Sequence, residues 1–293
     1  EGTEYYLPAG SSYRVTPFAL MKGFRLAGSR DGVKPIVVLE GSWSIAEGSY
    51  LSSLEFDNIE FRHEANNNYF MNTSKAYTIE NVSFVNCDFI SLRRGFWRHQ
   101  SANAKYIMNL EMEGCRFEGC GWQTSAYGTF NLQSFDKDNG VSYDQVDRAI
   151  FRNCTFSNDN DGTNGYGWGN LFYAPYMDKP IDLEYKNVTI YNYSRNQRLI
   201  NIESAVGSKL VMEGILLASP CGDLFAIGAN TTTTFSNNYT TADYTLGGKN
   251  MNATDLKITA AELFADPANG DLTIKDTSSP IVSSRAGDTR WLP

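Results

Sequence analysis

The chain has 293 residues, 25 Lys and Arg against 33 Asp and Glu, and a formal net charge of -8. No basic run exists to follow a phosphate backbone, so nucleic acid is excluded as a partner. Aromatic residues make up 13% and charged residues 20% of the chain, a balance that suits a folded protein with a large core rather than a disordered one. No stretch of 18 apolar residues occurs, and the opening Glu-Gly-Thr carries no basic start followed by an apolar stretch; neither a membrane span nor a signal peptide is visible. Five cysteines leave at least one unpaired within the chain.

The first predicted elements are short strands in ALMKGFRLAG, KPIVVLEG and SLEFDNIEFRH, from Ala19, Lys34 and Ser53. From Phe56 onward a unit recurs: a large apolar residue, any residue, Asn or Gly, a small apolar residue, any residue, a large apolar residue. The copies are FDNIEF, FVNCDF, MEGCRF, FRNCTF, YKNVTI and MEGILL, centred on Asn58, Asn86, Gly114, Asn153, Asn187 and Gly214, with steps of 28, 28, 39, 34 and 27. Alternating apolar residues rich in β-branched and aromatic types predict strand. Repeats of this period predict a stacked architecture. The recurrent Asn and Gly suit a left-handed bend, and Cys87, Cys115 and Cys154, one place further on, predict a stack of reduced, buried thiols.

A second ladder runs between these copies: YFMNTS, GFWRHQ, TFNLQS, LFYAPY, LINIES and LFAIGA. Taking Phe70, Phe96, Phe130, Phe172, Ile200 and Phe225 as equivalents gives steps of 26, 34, 42, 28 and 25. Two ladders in one order with similar spacing predict a single all-β domain over 1–293, a single-stranded right-handed parallel β-helix. Near the end, Thr259 and Glu262 form a capping box for a short helix that stops before Pro267. Residues 240–293 are expected to form a C-terminal cap and closing segment.

That closing segment, AELFADPANGDLTIKDTSSPIVSSRAGD from Ala261 to Asp288, resembles the one common in pectin-lyase-like β-helix proteins. With the opening strands and the ending at Trp291 and Leu292, nearly the whole chain resembles the β-helix domain of cell-surface lipoproteins of Bacteroidetes, often preceded by fibronectin-type-III-like domains. The resemblance implies an extracellular or outer-membrane-surface location beside a polysaccharide-utilisation apparatus, with further domains upstream in the full-length chain. It leaves the activity open.

Chemistry has therefore to be sought locally. A polysaccharide lyase needs a Lys or Arg base, and Arg93, Arg94 and Arg98 supply basic groups, with Arg94 and Arg98 the catalytic candidates. The Asp-His strand end and Arg-x-Pro-x-x-Arg stretch expected of lyases are absent, as are the paired-carboxylate motifs of polygalacturonase-like hydrolases. Asp136, Asp138 and Asn139, and Asp159, Asn160 and Asp161, form two acidic loops that are weak candidates for Ca²⁺, although the same residues make ordinary turns. No other cofactor is expected.

The leading expectation is a noncatalytic carbohydrate-binding module for an extended, acidic, pectin-like polysaccharide. A divergent lyase and a structural spacer are the alternatives. Strand alternation places the binding face on the second ladder, with Met71, Trp97, Asn131, Tyr173, Asn201 and Ala226 in one outward column and Thr73, His99, Gln133, Pro175, Glu203 and Gly228 in the next. Trp97 and Tyr173 would stack on sugar faces, Asn131, Gln133, Asn201, Glu203 and His99 would bond hydroxyls, and Arg94 would attract uronates. Trp122, Tyr127, Tyr166 and Trp168 are expected as walls.

Overall fold

A computed structural model describes residues 2–63, 69–121, 128–158, 170–193, 198–218, 224–244 and 251–293. The chain is all-β, and it builds three long parallel sheets of nine, ten and six strands. The polypeptide visits them in a fixed rotation. One circuit runs through Tyr77–Val85 in the first sheet, Asp88–Ile90 in the second and Gly95–His99 in the third, and Lys105–Glu113 then returns to the first. Each strand pairs in parallel with its counterpart one circuit away, so a parallel connection is made by the other two sheets rather than by a helix. The arrangement is compatible with a parallel β-helix. Among the described residues no helix is long and apolar enough to cross a membrane.

The Asn/Gly repeat is the bend from the first sheet to the second. Asn58, Asn86, Asn153 and Asn187 have φ of 56°, 51°, 49° and 51°, and Gly114 and Gly214 have 63° and 66°. Asn is the side-chain-bearing residue best suited to this left-handed region. Its amide also links circuits: Asn86 Nδ2 donates to Asn58 Oδ1 at 2.6 Å.

Inside, like packs on like. Phe56 stacks on Phe84 at 4.7 Å, Phe89 on Phe117 at 4.8 Å, Phe117 on Phe156 at 4.6 Å and Phe151 on Tyr185 at 4.6 Å. These separations match the strand spacing of roughly 4.8 Å, so each ring meets its equivalent from the next circuit. Cys87, Cys115 and Cys154 are unpaired and wholly buried in this core, as the repeat predicts. Burial holds the Cys87 and Cys154 thiols well above the ordinary value, which keeps them unreactive.

The capping box at Thr259 and Glu262 is present and starts the helix Ala260–Leu263. From there the closing segment runs back along the outer face of the second sheet. Phe264, Leu272 and Ile281 form a second apolar cluster with Leu216 and Ala218. Asp288 accepts from Thr155 Oγ1 at 2.7 Å, Trp291 Nε1 donates to the same hydroxyl at 2.7 Å, and Arg290 reaches Asp88 at 3.7 Å. The tail therefore ties strands several circuits apart. At the opposite end, Tyr5, Leu7, Tyr13, Phe18 and Trp43 line an apolar hollow of about 410 Å³ in the first circuits.

Candidate functional site

The outer face of the third sheet carries the candidate site, in a register one residue away from the expected one. Trp97 pairs with Met71 on one side, as the ladder predicts, but with Phe130 on the other, where Asn131 was expected. The cause is local. Phe96 N and Trp97 N both donate to Thr129 O, at 2.7 and 3.0 Å, so two residues oppose one, as in a bulge. Gly95 permits the bend, with φ of 135° and no room for a Cβ, which would meet Gly128 O at 2.5 Å. A slip of one residue exchanges inside for outside.

Trp97 and His99, expected on the surface, are consequently interior, each 0% exposed. Met71 and Thr73 are buried with them. The column that does point outward reads, in strict register, Asn72, Arg98, Asn131, Tyr173, Asn201 and Ala226. Asn131, Tyr173 and Asn201 keep their expected column, Arg98 replaces Trp97 within it, and Asn72 joins them. Sequence reasoning missed Asn72 because it sits one place beyond Met71, the residue expected to face outward.

This column is a recessed floor. Asn131 is 0% exposed although it faces away from the core. Its Oδ1 accepts from Gln133 Nε2 at 2.7 Å, but its Nδ2 has no partner, and neither does the buried Oδ1 of Asn72. Those two orphaned amide atoms flank Arg98, whose guanidinium carbon lies 5.6 Å from the centre of the Tyr69 ring. A buried amide atom without a partner costs about 1–3 kcal/mol, so such atoms in one column mark a place where a ligand or water completes the bonding. At the next strands Glu203 N donates to Asn201 Oδ1 at 3.3 Å, and the Glu203 carboxylate pairs with Arg198 at 3.4 Å. Burial raises the Tyr173 hydroxyl, with Tyr176 and Glu203 adding to the effect. Phe135 and Tyr176 stack at 4.3 Å and tie the hairpin of Phe135–Asp136 and Val141–Ser142 to the loop after Tyr173. Arg94 is exposed in the turn that leads into Gly95–His99.

Behind Trp97 lies a polar network that sequence reasoning also missed. Tyr77, Lys105 and Asp144 stack in register at the start of three successive first-sheet strands and are almost fully buried. Asp144 Oδ1 lies 2.6 Å from His99 Nδ1, and its Oδ2 accepts from Ser134 N at 2.5 Å. His99 Nε2 is 2.6 Å from Tyr77 Oη, which also accepts from Trp97 Nε1 at 3.3 Å. With Nδ1–H donating to the carboxylate, the neutral imidazole accepts a hydrogen bond from the tyrosine O–H at Nε2, and every group is satisfied. Lys105 Nζ donates to Ser134 Oγ at 2.5 Å, Asn103 O at 2.7 Å and Ser101 O at 3.1 Å. Burial lowers the His99 imidazolium, opposed by Asp144, and brings the Lys105 ammonium down to about 8. The Tyr-His-Asp order is that of a proton relay, but these side chains face the core. They lock the corner between the third and first sheets. A sequence signal existed: Tyr77, Lys105 and Asp144 each stand nine places before Asn86, Gly114 and Asn153, so a cation and an anion share one inward column.

Of the acidic loops, Asp136 and Asp138 form an ordinary turn. Asp136 Oδ1 accepts from Asp138 N at 2.9 Å and Asn139 N at 3.2 Å, and Oδ2 accepts from Asn139 Nδ2 at 2.7 Å. Those bonds hold its carboxyl below the usual range. Among the described residues no group of three or more His, Cys, Asp or Glu is placed to hold a metal ion. Asp159, Asn160 and Asp161 lie outside the described residues, as do Trp122, Tyr127, Tyr166 and Trp168. No protein-family model matches the chain, and no curated protein sequence matches it.

Proposed function

We propose that the chain is a carbohydrate-binding module, a pectin-lyase-like right-handed β-helix that holds an extended polysaccharide along the outer face of its third sheet at a cell surface. The observation that carries this reading is the Asn72, Arg98, Asn131, Tyr173, Asn201 column. Its side chains recur at roughly 4.8 Å, a repeat that an elongated chain of hydroxyl-bearing rings can follow. Orphaned amide atoms at Asn72 and Asn131 supply a donor and an acceptor, Tyr173 supplies a ring face, and Arg98 supplies attraction for a uronate. The all-parallel sheets and the left-handed Asn bends support the fold assignment.

The central Arg98 also favours a second reading, a divergent lyase in which that guanidinium or Arg94 meets the sugar C5 proton. A glycan array followed by affinity electrophoresis tests the first reading. Retention by at least one polysaccharide that Asn131→Ala and Tyr173→Ala each weaken is the expected result, and retention unchanged in both variants refutes it. Growth of unsaturated-uronate absorbance on incubation with acidic polysaccharides would replace binding with lysis.

A further inference from the structure

A second polar cleft lies on a different face, between the second sheet and the closing segment. Its floor is the outward column Glu118, Ser157 and Tyr191, consecutive in register on three strands. Its roof is the 3-10 turn Pro267–Asn269, which connects Phe264–Asp266 to Asp271–Ile274. The space between them is about 210 Å³ and is bordered by Asn158, Pro267 and Ala268. Asn158 is 4% exposed, and its Oδ1 has no hydrogen-bond partner. Its backbone is fully used, with N donating to Tyr191 O at 3.2 Å and O accepting from Asn192 Nδ2 at 3.2 Å, so the residue is held in place with an acceptor left over.

We propose that this cleft binds one neutral hexopyranose ring, free or at the end of a glycan. The walls select that chemistry. Glu118, Asn158 Oδ1 and the Ser157 hydroxyl, which donates to Phe117 O at 3.5 Å and keeps its lone pairs, all accept hydrogen bonds. An occupant must therefore donate, as sugar hydroxyls do. An anion would meet the Glu118 carboxylate. A metal ion would compete with the Arg116 guanidinium, 3.2 Å from Glu118 Oε2. Pro267, Ala268 and the Tyr191 ring give the apolar surface on which a pyranose face packs. The volume lies below the roughly 300–1,000 Å³ of drug-sized sites, which restricts the occupant to a single ring. This site shares no residue with the third-sheet column and does not depend on that reading.

Saturation-transfer NMR of the whole chain with the methyl glycosides of glucose, galactose and mannose at millimolar concentration tests the proposal. Ala268→Trp fills the cleft from an exposed position, and Asn158→Leu removes the orphaned acceptor. At least one methyl hexoside should receive saturation from the native chain and equally from the Asn131→Ala, Tyr173→Ala double variant. Ala268→Trp should weaken that binding tenfold or more. Should Asn158→Leu fail to fold, Ala268→Trp decides alone. Absence of transfer to all three hexosides overturns the proposal, as does transfer that survives Ala268→Trp or vanishes only in the double variant. A calcium-dependent thermal shift lost in Glu118→Gln, without hexoside binding, would assign the cleft to a cation and overturn it equally.

Discussion

Asp144→Asn is the sharpest test of the internal network. The native carboxylate accepts from His99 Nδ1 and Ser134 N and is the buried counter-charge of Lys105. The amide keeps the shape but offers one acceptor oxygen, so one of the two donors meets an NH₂ group and goes unmade, at about 1–3 kcal/mol. Lys105 also loses the nearby charge that favours its ammonium form, which adds to the cost. A loss of about 2–4 kcal/mol is expected, read as the shift in urea midpoint followed by tryptophan fluorescence and by circular dichroism. Adding Lys105→Met removes the uncompensated cation, so the double variant should be more stable than the sum of the single losses by over about 1 kcal/mol. His99 supplies the pH signature. The unfolded imidazole takes its proton near the ordinary 6.5, while the buried one resists it, so stability is full above that pH and falls as pH drops from 6.5 toward the lowered folded value. His99→Gln should flatten this slope. A cost below about 1 kcal/mol for Asp144→Asn, strict additivity in the double variant, or an unchanged slope in His99→Gln would refute the network.

Lys105 reverses the usual alkaline behaviour. The folded ammonium releases its proton near 8 while the unfolded one holds it to 10.5, so stability should climb across that window by up to about 3 kcal/mol, and Lys105→Met should abolish the climb in alkaline melts. Trp97→Ala should cost about 3–5 kcal/mol as a core truncation, whereas Tyr173→Ala should leave the melting temperature nearly unchanged and weaken glycan binding by about 1 kcal/mol or more. A thermally silent Trp97→Ala would return that ring to the surface. Asn86→Ala keeps a β-carbon in left-handed backbone but removes the amide that suits Asn to that region and bonds Asn58, and should cost about 2 kcal/mol in urea melts, while Asn86→Gly, which relieves the backbone, should cost less than half as much.

What could be read from the sequence is what local chemistry decides. The Asn and Gly bends were legible because few residues accept φ near 50°, and the Phe and Cys columns were legible because stacking demands like residues at like places. The capping box was legible because its two hydrogen bonds span only three residues. The third-sheet register was not, because Phe96 and Trp97 are adjacent, large and apolar, and composition cannot say which of two such neighbours faces the core when a bulge at Gly95 turns both inward. The path of the tail was equally hidden. Asp288 finds Thr155 across 133 residues, and no periodicity encodes a contact of that range.

The three outer faces differ in how far their polar groups satisfy one another, and that difference is the physical basis for proposing the third as the binding face. The first face is dressed in charges that pair along its columns: Arg25 with Glu4, Glu55 and Asp57, Arg148 with Glu111, Arg152 with Glu184, and Lys186 with Glu213. An incoming hydroxyl there would have to displace ion pairs for bonds of similar worth, with little net gain. The later strands of the second face are roofed by the closing segment, whose Asp288, Arg290 and Trp291 occupy hydroxyls and carbonyls there and leave a gap beneath Pro267 and Ala268. On the third face the floor is recessed and its amides at Asn72 and Asn131 have atoms already stripped of water but not yet bonded. Their desolvation cost was met on folding, so a hydroxyl bonded there contributes more of its gross energy to affinity than one bonded on the first face.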